Sequence, residues 1–248
     1  MPEHTHNQKL AYVFALLAVL FWSTMSTAFK LTLRFIEPDQ LLFWASLFGI
    51  MALVVLNQSG KQRLKPAKLK RKDWLSSALM GLFNPFLYYL VLFEAYDLLE
   101  AQIAGTLNYV WPITLVLLSI PLLRQKIGPL SILAIFISFF GLVVISTQGN
   151  LMAFEFANPL GILLAVGSSV FWALYWILNM KDQREESGKI LLNLCFGFVY
   201  ITLYLLITDG IVLPEPNALL GAFYIGLFEM SLTFVIWLKA LQYSVNTA

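Results

Sequence analysis

Charge is scarce in this chain of 248 residues: Asp, Glu, Lys and Arg together make up 12% of it, against 59% for apolar residues. A water-soluble domain could not carry that balance without precipitating, so a cytosolic globule is excluded. Cysteine is all but missing. Cys195 stands alone inside an apolar run, which rules out a disulfide or a thiolate metal cluster and leaves a packing thiol. The two histidines, His4 and His6, lie in a polar tail, where their spacing could hold a metal only weakly. There is no His-Glu-x-x-His segment, no glycine-rich phosphate loop after a strand and no serine nucleophile with its base. The chain therefore reads as a non-enzyme without cofactor or resident metal, and its net charge of +2 bears no resemblance to a nucleic-acid footprint. Acidic groups are missing from the interior of every apolar run but one, where Glu229 is the exception.

What the chain has is hydrophobic length. Runs of about 18 to 23 residues, enough to cross ~30 Å of hydrocarbon as helix, fall near 10–29, 40–56, 74–93, 101–123, 127–146, 159–180, 190–208 and 218–238. They predict an all-α integral membrane protein in contact with the lipid bilayer, with eight spans present. The first run is followed by the small residues Ser26-Thr27-Ala28, as in a signal peptide, but it is too long for an h-region and reads as retained. With the N-terminus in the cytoplasm, fourteen of the sixteen Lys and Arg residues fall on the inner side and only Lys30 and Arg34 on the outer. Adding or removing one span would destroy that bias. The outer loops are acidic instead, with Glu37, Asp39, Glu94, Asp97, Glu100, Glu155, Asp209 and Glu215.

One stretch interrupts the lipid-compatible pattern. Asn108-Tyr109-Val110-Trp111-Pro112 sets an amide, two amphipathic rings and a proline inside the fourth run. Proline has no N–H, so the Asn108 carbonyl loses its helical partner. An orphan carbonyl in hydrocarbon costs several kcal/mol, so it must face other helices, water or a ligand. Trp111, one turn on, shares the face of Asn108, and the spacing predicts both side chains in one cavity. A kinked helix with packed aromatics is the competing account.

The chain also repeats. Phe21-Trp22 recurs as Phe171-Trp172 after 150 residues, and Gly81-Leu82-Phe83 as Gly226-Leu227-Phe228 after 145. Matches in the same order at nearly the same spacing predict a duplicated five-helix unit. Five is odd, so the second copy must cross the membrane inverted, an arrangement of transporters with a site at the midplane. The units are residues 10–149 and 150–248, after a cytoplasmic tail at 1–9. At an offset of 145, Ala248 falls opposite Ile103, so the arithmetic predicts ten helices, of which two, over about 45 to 50 residues, lie beyond this C-terminally truncated chain.

Taken together, Phe21-Trp22-Ser23-Thr24-Met25, Asn108-Tyr109-Val110-Trp111-Pro112, Gln125-Lys126 and Phe171-Trp172-Ala173-Leu174-Tyr175 resemble the drug/metabolite transporter superfamily of the EamA type, and within it the bacterial aromatic amino acid exporters. The resemblance covers essentially the whole chain. It implies two inverted five-helix repeats, cytoplasmic termini, location in a bacterial inner membrane, and a central cavity that exports small amino acids or related metabolites. It assigns Trp22, Tyr88, Trp111 and Trp172 to the cavity wall, with Asn108 beside them. Many members of the superfamily carry an acidic residue where this chain has Gln125. The absent ninth and tenth helices would supply part of the wall.

Each candidate has a plainer account. Trp22 and Trp172 hold matching places in the two units and could clamp a planar group, worth ~0.5–1.5 kcal/mol beyond area burial, but membrane tryptophans also anchor at interfaces. Tyr88 and Tyr89 follow Pro85, and the helical angle between them leads us to expect only one to face inward. Glu229 could bind a substrate ammonium, accept a proton as the coupling ion, or simply bond a neighbouring helix through Asn84, its counterpart at the 145 offset. Lys30 fits snorkelling to the interface, with a substrate carboxylate as the sharper alternative. The small-molecule cargo could equally be a drug or another metabolite. An intramembrane enzyme using Glu229 would need a second catalytic group, for which only Asn84 or Asn108 offers itself, and an inactive fragment is a third reading.

Overall fold

A computed structural model describes residues 7–59, 69–124, 128–146, 158–182, 184 and 186–243. All regular structure among them is helical, in eight successive spans. Span α1 is Gln8–Thr32 and α2 is Pro38–Ser59. Span α3 runs as Arg71–Gly81, a wide π turn at Leu82–Leu87, and Tyr88–Leu98. Span α4 comprises Ala101–Asn108 and Trp111–Leu123, and α5 is Pro129–Ser146. Spans α6 and α7 are Pro159–Lys181 and Glu186–Ile207. Span α8 repeats the plan of α3, with Pro216–Leu227, a π turn at Phe228–Leu232, and Thr233–Tyr243.

Seven of these spans are long and apolar enough to cross a membrane; the apolar stretch of α5 is the shorter Ile132–Gly141. Leu16, Leu130, Leu163 and Ile207 are all well over half exposed, as expected of side chains that meet lipid rather than water. The predicted boundaries agree to within five residues, and those of α4 coincide. The largest difference is at the ends of α3 and α8, because a helix need not stop where hydrocarbon stops: α3 continues through Glu94 and Asp97, and α8 through Lys239.

Local chemistry explains the starts. Asn7 Oδ1 accepts from Leu10 N–H at 3.2 Å, and Asn158 Oδ1 from Gly161 N–H at 3.0 Å, so each caps its helix. Pro38, Pro129, Pro159 and Pro216 each occupy a first helical position, where a missing N–H costs nothing.

Packing repeats with a shift of five spans. Span α1 lies on α8 as α6 lies on α3; α2 lies on α8 as α7 lies on α3; α2 and α7 lie on each other. The glycines of the repeated Gly-Leu-Phe motif make two of these crossings. Gly226 of α8 faces Gly49 and the Ala45 carbonyl of α2, and Gly81 of α3 faces Gly197 and the Asn193 carbonyl of α7. Small residues let backbones approach, which substitutes for the hydrophobic drive that lipid cannot provide.

The two rims differ in charge. Glu37, Asp39, Glu94 and Asp209 gather around one crevice, and Lys70, Lys72, Lys181 and Arg184 around another at the opposite ends of the same helices. On the basic rim, the Arg184 guanidinium is bonded to Asp182 through three contacts of 2.5–3.0 Å and also donates to the Asp73 carbonyl of α3 at 3.1 Å. This ties the α6–α7 turn to the start of α3. Burial raises the Asp182 carboxyl, but hydrogen bonds and charge from Arg184 outweigh it and leave the group below its ordinary value of 3.8. A depressed carboxylate adds stability above the unfolded value and loses it as pH falls through the folded one. Asp182→Asn is therefore expected to lower the melting temperature at pH 7, by an amount reflecting at most about 1 kcal/mol for so small a network. The gap from the parent should shrink as pH drops below about 4. A gap that stays constant down to low pH would assign the loss to packing.

Candidate functional site

Within the bundle lies a cavity of about 230 Å³, at the small end for ligand pockets. Its wall contains Trp22 from α1, Tyr88 from α3, Asn108 and Trp111 from α4, Trp172 from α6 and Glu229 from α8. All six side chains singled out in the sequence thus meet in one space. It extends to Tyr96 and Gly105, within about a turn of the acidic-rim ends of α3 and α4.

The π turns and the break in α4 aim these groups. In α3, Pro85 supplies no N–H, the Asn84–Pro85 peptide is cis and Asn84 leaves helical geometry at φ −146°, ψ 119°. In α8 there is no proline at the turn. Ser231 Oγ donates to the Gly226 and Leu227 carbonyls at 3.0 and 2.6 Å, and Thr233 Oγ1 to that of Phe228, so hydroxyls satisfy the widened backbone. The fourth span stops at Asn108 and restarts at Trp111 instead of bending continuously, with Val110 N–H donating to Leu107 at 3.1 Å across the join.

Several expectations need correcting. Both tyrosines face inward, not one: Tyr88 and Tyr89 are buried, the first donating to Asn108 Oδ1 at 3.2 Å and the second to Glu229 Oε1 at 2.9 Å. The one-inward expectation treats α3 as having a single interior face, whereas it packs against α6, α7, α2 and α1 and so has interior neighbours in more than one direction. Glu229 is bonded by Tyr89, with the Trp22 indole beside its carboxylate, and not by Asn84. Lys30 reaches toward the acidic rim and binds protein there. Its Nζ donates to the carbonyls of Tyr96 and Asp97, at 2.8 Å each, capping the last turn of α3 where helix dipole and orphan carbonyls favour a cation. Gln125, Lys126, His4 and His6 lie outside the described residues.

The aromatic contacts show how the wall is held. Trp172 is buried, with its ring 4.5 Å from Tyr88 and 6.3 Å edge-on from Trp111. Trp22 instead pairs with Trp237 at 5.5 Å, so the two matching tryptophans each have a partner of their own and flank the cavity separately. Four of the seven tryptophans line the cavity, which weighs against the interfacial belt for them. Trp44, bonded to the Val212 carbonyl at 3.0 Å, and the exposed Trp74 sit near opposite rims and fit the belt better.

Sequence reasoning missed Trp237, Tyr96 and Ser26. The Tyr96 and Ser26 hydroxyls lie 2.8 Å apart across the α1–α3 contact. The available signal was that Tyr89, Phe93 and Tyr96 share one helical face. It also missed a smaller space of about 10 Å³ bordered by Asn84, Asn193 and Tyr89. Glu229 Oε2 and the Oδ1 atoms of Asn84 and Asn193 are buried without a hydrogen-bond partner among the described residues. In so apolar a bundle each is a costly arrangement that a donor would relieve.

The sequence matches the EamA-like transporter family over residues 9–147 and again over 159–247. The chain belongs to that family. It is a multi-pass membrane protein, as the family and its seven membrane-length helices require. An uncharacterized transporter of Clostridium kluyveri is 25% identical over 246 residues, spanning 94% of this chain and 78% of the relative. An aromatic amino acid exporter, YddG, of Ancylobacter novellus is 24% identical over 234 residues, 93% of this chain and 79% of that one. A solved crystal structure superposes with a TM-score of 0.69 at 20% identity, over 96% of this chain and 80% of the other, and shares the fold.

Proposed function

We propose that this EamA-family transporter exports small apolar, aromatic amino acids or related metabolites across a bacterial inner membrane by alternating access. The observation that carries the proposal is the aromatic cavity with Glu229 in its wall, built by α1, α3, α4, α6 and α8 from both matched stretches of the chain. The packing that recurs after five spans supports taking 10–149 and 150–248 as two inverted units that rock against each other. The cavity reaches toward the acidic rim, while Arg184 and Asp182 tie the basic rim together, as expected of a form open on one side. By the positive-inside rule the basic rim, and with it the N-terminus, faces the cytoplasm. Glu229 is the group through which a proton would couple to transport. The exporter at 24% identity supports the aromatic cargo and the direction.

Purified protein in proteoliposomes tests this. Labelled phenylalanine should be taken up by counterflow and displaced by tryptophan. Indifference to both amino acids would end the aromatic reading, and a drug or another metabolite would take its place as cargo.

A further inference from the structure

The charge of the cavity narrows its cargo. Among the fourteen residues of its wall, eight are aromatic, one is a carboxylate, and none is Lys, Arg or His. Glu229 uses Oε1 to accept from Tyr89 at 2.9 Å, the Trp22 indole lies close enough to its carboxylate to act on it as a donor, and its Oε2 is buried with no hydrogen-bond partner among the described residues. Lys30, the cation bonded to the wall residue Tyr96, lies outside the wall and holds two backbone carbonyls at 2.8 Å each.

An amino acid zwitterion carries both an ammonium and a carboxylate into this space. Its ammonium finds a carboxylate oxygen and the negative faces of indole and phenol rings, the surroundings that recognise cationic nitrogen. Its carboxylate finds no cationic side chain among the described residues of the wall. It also sits within the same small cavity as Glu229, where like charges repel far more strongly than in water because the surroundings polarise less. The donors the wall offers it are neutral, among them the Tyr109 hydroxyl, the Asn108 amide and the Trp111 and Trp237 indoles. Neutral donors serve a carbonyl, an ester or a phenol well, and they offset a full charge less than a cationic partner does.

We propose that the preferred ligand of this cavity is a monocationic aromatic amine, a ring on a short chain ending in an ammonium, with the carboxyl group absent or masked as an ester or amide. The proposal rests on the transport reading for the use of the site but not for the binding itself. The Glu229 carboxylate takes the ammonium, and the rings of Trp22, Trp111 and Trp172 border the aromatic group.

Binding to the purified full chain in nanodiscs, followed by tryptophan fluorescence and calorimetry, tests this with 2-phenylethylamine, phenylalanine methyl ester, L-phenylalanine and 3-phenylpropionate. The amine and the ester are expected to bind at least about tenfold more tightly than phenylalanine, a difference of about 1.4 kcal/mol, with the propionate weakest. Glu229→Gln, which keeps the shape, should bring amine and amino acid to similar affinity. If that variant does not fold, the order among the four ligands on the parent protein decides alone. Phenylalanine binding as tightly as its ester, or no measurable binding of the amine, overturns the proposal. Phenylalanine flux with equal affinities would overturn it while leaving transport intact, whereas tight amine binding without flux of any aromatic ligand would uphold it and remove the transport reading.

Discussion

Gly226→Val is expected to remove most of the folded protein from the membrane and to lower the melting temperature of what remains. A Cβ at Gly226 would come within 2.9 Å of the Gly49 amide nitrogen and of Phe48 Cβ, and would run into the Ala45 carbonyl, so rigid backbone stands in its way. A β-branched side chain adds two more carbons at the same place. Overpacking of a tight contact costs about 1–3 kcal/mol where neighbours can shift, and a helix backbone shifts less readily than a side chain. The two-fold packing extends the expectation to Gly81→Val, whose Cβ would lie 2.8 Å from Phe196 Cβ and 2.9 Å from the Gly197 nitrogen. Gly167→Val is the control, since nothing lies within 4 Å of its added carbon. Thermal unfolding in detergent reads all three. A Gly226→Val protein as stable as the parent would mean that α2 and α8 do not cross as described.

The second large effect is functional. Trp111→Ala should cut aromatic flux by more than about tenfold while the protein stays folded, which proteoliposome uptake and melting temperature would report together. Trp111 is only half-buried and meets Trp172 edge-on at 6.3 Å, so its removal enlarges the cavity more than it unsettles the bundle. Trp172→Ala would not separate the two roles as well, because Trp172 is buried against Tyr88, Trp111, Trp176 and Phe234, and truncating such a side chain costs about 3–5 kcal/mol in stability alone. Undiminished flux in Trp111→Ala would return this residue to the packing account.

The contrast between α3 and α8 shows where reading a sequence stops. Pro85 announces a disturbed turn because a missing N–H is a local property of one residue. The matching turn at Phe228–Leu232 has no such marker: Ser231 and Thr233 hydroxyls support it, and both are ordinary helix residues in other settings. Lys30 is legible only in part for a related reason. A lysine near a helix end reads as a snorkelling side chain, and only the position of α3 beside α1 supplies the two carbonyls it binds. The expectation for Tyr88 and Tyr89 fails because it presumes a single interior face, while α3 has packed neighbours in several directions.

Length, apolarity and the distribution of charge determined the spans and the separation of a basic from an acidic rim, because hydrocarbon imposes those terms one segment at a time. The repeated glycines and the aromatic motifs determined which side chains to suspect, since each needs only its own helix to be recognised. Tertiary structure alone decided their partners. Tyr89 reaches Glu229 from 140 positions away, and Trp22 meets Trp237 while Trp172 meets Tyr88. These pairings depend on how separate helices cross, and helix crossing is set by the close fit of surfaces that no single segment contains.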